Sequence, residues 1–438
     1  ATQLPRDEQW SVLAAVARHQ ATRGDRTAAT RLWEAILAAQ PDDLAAAWEL
    51  YDLAASTGDA TATQARQEAI EQIAGTASAD GRTARAGVLM LHVAAAMPDR
   101  DDIALDEARH LLIEAEAERP RWQRVHLLLA EAERLRGNRV AERERLQQAI
   151  ASGPRHSAIV RRLIALLVAD HRFDEAARLA LTATAETIFA TELLGRRPEP
   201  AAWQAAVGVL ESLASSQPLT VSQRVQLADL RDRLGHWSEC RADLQSLAAA
   251  ADAAPSITAL LVGKLIDHEE LAAARSWLTK LQRTSPGTAG LLVLEARLAA
   301  ASGDRQAARA AAEKLLPARP VQPADTEAAS RVTRLLEELQ LVDMADQLHA
   351  EIAAKAPAAV VERAEFLARH SRVDEAVDLL GELWVAPPAA VPRQRVLRAA
   401  VTAVQTVTPA AAPQAWATVA RWLAEAAEDA PDSPPVLM

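Results

Sequence analysis

The chain of 438 residues has a single cysteine, Cys240. A lone thiol excludes an intrachain disulfide and any zinc site built from several cysteines, and it leaves the redox compartment open. Aromatic residues are 3% of the chain, so its large apolar share, 50%, is mostly alanine and branched aliphatics. Lysine is confined to Lys264, Lys280, Lys314 and Lys355; the other cations are arginines. Abundant Ala and Arg together are the habit of a GC-rich, bacterial genome rather than a functional signal. The 15 glycines form no G-x-x-x-x-G-K-[ST] phosphate loop, and neither G-x-S-x-G nor H-E-x-x-H occurs. No apolar run approaches the roughly 18–20 residues of a membrane helix, Leu163 to Ala169 being among the longest. The formal net charge is −11, where a general nucleic-acid binder would carry a positive excess. Period-2 alternation of β-branched residues is missing and alanine disfavours strands, so no sheet is predicted.

What the chain does have is a recurring helical unit. In Gly24 to Pro41, a Gly-Asp turn is followed by Ala29, Trp33 and Leu37 at four-residue spacing, which places them on one helical face. Pro41 then stops the helix, since it lacks a backbone donor and its ring clashes with the preceding turn. Gly24 is echoed by Gly58, and the same interval separates Gly137 from His171. The stretches Gly24–Pro41, Gly137–Pro154, Gly303–Pro320 and Ser371–Pro388 share a single length, half the interval from Gly24 to Gly58. Inside these windows, small residues recur early in the second helix (Ala29, Ala308, Ala376) and bulky ones near its end (Leu37, Ile150, Leu316, Trp384).

This pattern resembles the tetratricopeptide repeat family, a helix–turn–helix unit of about 34 residues, over most of the chain. The small–bulky–proline series of the second helix is kept. The aromatic positions of the first helix are replaced, by Leu13, Val16 and Ala17 in the first unit and by Val160, Leu163 and Ile164 in the fifth. The resemblance implies an all-α solenoid of about twelve antiparallel helix pairs, stacked as a superhelix whose concave groove is lined by first helices. The predicted pairs cover about 7–40, 43–75, 82–118, 121–152, 156–184, 185–217, 219–251, 256–284, 288–317, 324–355, 357–385 and 392–430. In the third, a longer inter-helix turn is expected at Met97 to Arg100. Gly195 to Pro200 cannot be helical throughout. We therefore expect 185–217 to be an irregular segment or hinge between an N-terminal solenoid, 1–184, and a C-terminal one, 218–430, with 431–438 a disordered tail.

Few residues suggest chemistry. Cys240, one turn after His236, falls where Ala29, Ala176 and Ala308 sit in their repeats, and it reads as a small buried residue rather than a nucleophile. The clusters Asp170–Glu175 and Asp267–Glu270 fall at inter-helix turns, where acidic residues cap the next helix. Carboxylates such as Glu114 and Glu118 read as a solvated face. No metal-ligand spacing and no cofactor motif is found. Trp33, Trp277 and Trp384 are expected in the core. Trp48 falls at a first-helix position that the resemblance places in the groove, with Asp52 one turn on and Arg18 in the equivalent row of the first pair. Tryptophan and arginine dominate binding hot spots; packing between pairs is the competing reading of Trp48.

Between Arg119 and Arg178 stand 13 arginines against 7 acidic residues. Arg124, Arg134 and Arg161 map to groove-facing positions there. They suit bidentate recognition of an acidic peptide, against the alternative that pairs such as Glu131–Arg134 and Glu142–Arg145 simply solvate the helices. The expected function is a non-enzymatic scaffold binding a protein or peptide, acidic in character, through Arg18, Trp48, Asp52, Arg124, Glu131, Arg134 and Arg161. The alternative is a regulatory or docking portion of a larger enzyme or envelope-export assembly, suggested by a start at Ala1 inside a helical repeat. An RNA-binding helical array would need a basic groove along most repeats, and the basic stretch spans about two.

Overall fold

The structure, a computed structural model, describes residues 6–96, 102–182, 184–317, 325–388 and 391–429. Among the described residues it holds 24 helices and no strand. By their contacts they form two compact units, Ala1–His236 and Trp237–Met438.

In the first unit, pair one is α1 (Arg6–Thr22) and α2 (Arg26–Ala39), and pair two is α3 (Leu44–Ala55) and α4 (Ala60–Ala74). Pair three is α5 (Ala79–Ala95) and α6 (Asp102–Glu118), and pair four is α7 (Gln123–Leu135) and α8 (Arg139–Ser152). Pair five is α9 (Ser157–Ala169) and α10 (Phe173–Ala180), and pair six is α11 (Thr184–Gly195) and α12 (Pro200–Ser216). Helix α13 (Val221–Arg233) completes the unit.

The second unit begins with α14 (Trp237–Ala249). Then come α15 (Pro255–Asp267) with α16 (Leu271–Thr284), and α17 (Ala289–Ala301) with α18 (Arg305–Glu313). They are followed by α19 (Thr326–Glu338) with α20 (Val342–Ala353), and α21 (Pro357–Arg369) with α22 (Val373–Val385). The last are α23 (Arg393–Gln405) and α24 (Pro413–Asp429). The helices fall where the predicted pairs put them. Residues 185–217, expected to be irregular, hold α11 and α12, which pack on α9 and α10; only the turn at 196–199 between them is non-helical. The expected turn at Met97 to Arg100, Pro320 and the tail 431–438 lie outside the described residues.

Local chemistry explains the elements. Asp25, Asp43, Asp59, Ser78, Asn138, Thr220, Thr288 and Asp304 each cap a helix by accepting from a backbone N–H of its first turn. In many of the turns that follow a first helix, one residue sits at positive φ. It is Gly24, Gly58, Gly137, Gly235 or Gly303 at 73–84°, but His171, Glu269, Gln340 or Ser371 at 57–62°. The left-handed residue lets the chain reverse while its neighbours still close the helix end, and a side chain there carries a strain of about 1–2 kcal/mol. The acidic turn residues behave differently from expectation. Glu270 makes no side-chain cap, and Asp170 and Glu270 instead bind Arg143 and Arg241 of the preceding second helices.

The second-helix face is buried as the spacing requires, with one shift: in α2 the buried series is Ala29, Trp33 and Ile36, and Leu37 is only half-buried. Trp384 is buried and stacks on Trp422 with centroids 5.3 Å apart. Trp277, expected in the core, is half-buried with Lys280 over its ring at 4.7 Å. Cys240 is fully buried on α14, which closes it to a nucleophilic role.

Candidate functional site

Three of the residues singled out in the sequence meet in the first unit. Arg124, at the start of α7, donates from Nη1 and Nη2 to Oδ1 and Oδ2 of Asp52 on α3, at 2.5 and 2.7 Å. Its guanidinium carbon lies 4.1 Å from the centroid of the Trp48 ring, also on α3. This fork-to-fork pair joins pair two to pair four across α5 of pair three.

The bridge depends on what α5 does not carry. Tyr51 of α3 donates to the carbonyl of Ala84 at 2.9 Å. A Cβ on Gly87 would stand 2.2 Å from the same Tyr51 oxygen. Gly87 therefore leaves room for the Tyr51 hydroxyl on α5, and the side chains of α3 and α7 reach each other past that contact. Burial pushes the Tyr51 hydroxyl far above the ordinary tyrosine range, with the charge of Arg124 opposing.

Trp48 is 8% exposed. Its Nε1 donates to Asp80 Oδ1 at 2.9 Å; Asp80, itself buried, accepts from Arg119 Nη2 at 2.8 Å through its other oxygen. Trp122 and Tyr51 stand edge-on to the Trp48 ring, at 5.8 and 5.2 Å. Trp48 is thus not an open anchor: it packs between pairs because its N–H has a buried acceptor on the next first helix. Sequence reading missed Asp80, Tyr51, Arg119 and Trp122. The available signal was the near-repeat offset of 32 residues between Trp48 and Asp80, which lets one first helix reach the next.

A second centre surrounds Glu131 on α7. Arg134 donates from Nε and Nη2 to Glu131 Oε1 at 3.0 and 2.5 Å, and Arg162 of α9 donates to Oε2 at 2.9 Å. Burial raises the Glu131 carboxyl, but hydrogen bonds and charge from Arg134 and Arg162 outweigh it and hold it below the ordinary carboxylate range. The expected Glu142–Arg145 pair is replaced. Glu142 accepts from Arg162 Nε at 2.8 Å, while Arg145 pairs with Glu116 at 2.5 Å; the carboxylate that each arginine meets belongs to a neighbouring pair.

Arg18 donates to Glu49 at 3.1 Å and lies 5.4 Å from the Trp33 ring. Arg161 is exposed, 5.6 Å from the Phe189 ring centroid, and has no ion pair among the described residues. Glu114 and Glu118 both bind Arg82. Of the 13 arginines between Arg119 and Arg178, most are neutralised inside the chain, four of them by Asp52, Asp80, Asp106 and Glu116 from earlier helices. Among the described residues no three His, Cys, Asp or Glu side chains converge as a metal site, and no helix is long and apolar enough to cross a membrane.

Helix pairs recurring at a near-constant interval, with a left-handed residue at many of the turns and a small-then-bulky second helix, give each unit an all-α array of helix pairs that resembles degenerate tetratricopeptide repeats. No protein-family profile matches its sequence, and no curated protein does. Among solved structures it is similar to a thermophilic tetratricopeptide protein of Thermus thermophilus, with 20% identity over 47% of this chain and 99% of that one and a TM-score of 0.34. It is also similar to a tetratricopeptide repeat protein from Parabacteroides merdae, with 12% identity, 63% and 98% coverage and a TM-score of 0.34. For MamA protein the values are 14%, 49% and 99%, and 0.28.

Proposed function

We propose that the chain is a non-enzymatic protein-interaction scaffold whose first-helix face receives an acidic peptide around Arg124, Arg134 and Arg161. The observation that carries this reading is the Asp52–Arg124 pair. A carboxylate is held bidentately by a guanidinium that lies over an indole, 28% exposed on the arginine side chain and 48% on the aspartate. A partner's carboxylate fits the same fork, because bidentate geometry and a weakly hydrated guanidinium favour it. Arg161, which carries no carboxylate of its own, makes the first contact. Arg124 and Arg134 then exchange Asp52 and Glu131 for partner groups. Arg18, over Trp33 and bound to Glu49, repeats the arrangement one pair earlier. In this reading Trp48 serves behind Arg124 and never touches the partner.

The test is fluorescence anisotropy with a labelled peptide alternating Glu and Leu, titrated at two salt concentrations. The triple variant R124A/R134A/R161A is expected to bind about tenfold or more weakly, with a flatter salt dependence, since each lost contact to a charged group costs about 1.5–3 kcal/mol before compensation. Unchanged affinity and salt slope in that variant would remove the proposal.

A further inference from the structure

We propose a second docking site in the first unit, between the second helices α8 and α10, for a peptide that offers one apolar side chain beside a carboxylate. The site is a cleft of about 330 Å³. Ile150 of α8, Leu163 and Leu167 of α9 and Leu179 of α10 form its apolar lining. Arg155, in the connection between α8 and α9, and Arg178 of α10 complete it. Both arginines are exposed, and neither has an ion pair among the described residues.

That lack of partners is the exception in this part of the chain. The neighbouring Arg143, Arg145, Arg162 and Arg172 each hold a carboxylate. Two of the arginines without an ion pair, Arg155 and Arg178, line one apolar cleft. The carboxylate that lines the cleft, Glu175, is already bound by Arg172, which donates to it from Nε at 2.6 Å. The site therefore carries uncompensated positive charge over a hydrocarbon floor. An apolar side chain buried on that floor supplies the contact area, and a carboxylate beside it meets the two guanidinium forks. The volume lies at the small end of ligand pockets, roughly 300–1,000 Å³, which suits one or two side chains. Gln147 and Thr182 add uncharged groups at the edge for the peptide backbone; the Thr182 hydroxyl donates to Leu179 at 2.8 Å and keeps its acceptor capacity. This site shares no residue with the first-helix face and stands independently of it.

The experiment is a selection from a displayed library of random dodecapeptides against the full chain, followed by anisotropy with the most enriched peptide, synthesised with fluorescein. Enrichment of Leu, Ile or Phe within a turn of Asp or Glu is expected. The variant R155E/R178E should lower the affinity of that peptide about tenfold or more, because reversed charge opposes the carboxylate, while R161A leaves it unchanged. Gln147→Trp, an exposed position on α8, fills the cleft without altering charge and should also abolish binding. Thermal unfolding of each variant at the wild-type temperature confirms that the fold is intact. The proposal is overturned if no such motif is enriched, if the enriched peptide lacks a carboxylate, or if its binding survives both R155E/R178E and Gln147→Trp.

Discussion

In the N-terminal pairs of the first unit, pairs two and four are joined by a guanidinium and a carboxylate, Arg124 and Asp52, and the apolar core is divided among short clusters, one around Trp33 and Ile36, the next around Trp48 and Ile70, the next around Leu105 and Leu112, before a longer one runs from Ala130 to Leu230. In the second unit one long apolar cluster runs from Ala296 to Trp422 and takes in Phe366 and Trp384. The difference teaches how a sequence poor in aromatics can stack its repeats in two ways. Where bulky apolar residues are available, non-directional burial suffices. Where the apolar clusters are short, a directional pair such as Arg124–Asp52 adds to them, as Arg297–Asp267 and Arg369–Glu337 also do in the second unit, at the expense of sensitivity to salt. The turns differ as well: the first unit mostly uses glycine at the left-handed position, whereas in the second Glu269, Gln340 and Ser371 occupy it beside Gly303.

The largest expected effect lies in the continuous core. Phe366 is fully buried, with His349 and His370 rings at 4.7 and 4.6 Å. Phe366→Ala should destabilise the second unit by about 3–5 kcal/mol through lost transfer energy and a cavity. Denaturant unfolding followed by circular dichroism measures this, and a loss below about 1 kcal/mol would mean that the cluster is not what holds the unit.

Next comes the buried acceptor of the first unit. Asp80→Ala strands the Trp48 N–H and deprives Arg119 of its partner, at an expected cost of about 1–3 kcal/mol. If Asp80→Ala unfolds at the wild-type denaturant concentration, the polar stapling ascribed to the first unit is wrong.

The exposed Asp52–Arg124 pair is worth less. A double-mutant cycle with Asp52→Ala and Arg124→Ala should give a coupling of roughly 0.2–1 kcal/mol, shrinking as salt is added. A coupling that ignores salt would place the pair with the apolar contacts and blur the contrast between units.

The smallest effect concerns the turns. Ser371→Gly relieves a side chain at φ 62°. After the entropy that glycine adds to the unfolded chain, the net gain should be no more than about 1 kcal/mol. Gly137→Ala, at φ 77°, should instead lose stability. Calorimetric melting of the two variants decides whether the turns of the two units differ in strain.

The pair boundaries, the turn row and the absence of strands among the described residues could be read from the chain because helical periodicity, capping residues and prolines act over a few neighbours. His171 and Ser371 were recognisable as turns only by their interval from other repeats, since nothing in their own chemistry favours positive φ. Trp48, Asp52 and Arg124 were picked out one by one as groove residues. That they bind each other was hidden, because Asp52 and Arg124 lie 72 residues apart, on helices of pairs two and four. The partner of Arg145 was misread for the same reason: local spacing pairs it with Glu142, while stacking offers it Glu116.

The sequence by itself determined the unit, a capped helix, a left-handed turn and a second helix with one apolar face, since each depends on contacts within about one repeat. Only the tertiary structure decided which charges are spent inside the chain and which, like those of Arg155, Arg161 and Arg178, are left outward. Ion pairing depends on distances of a few ångströms between repeats, and spacing along the chain does not report those distances.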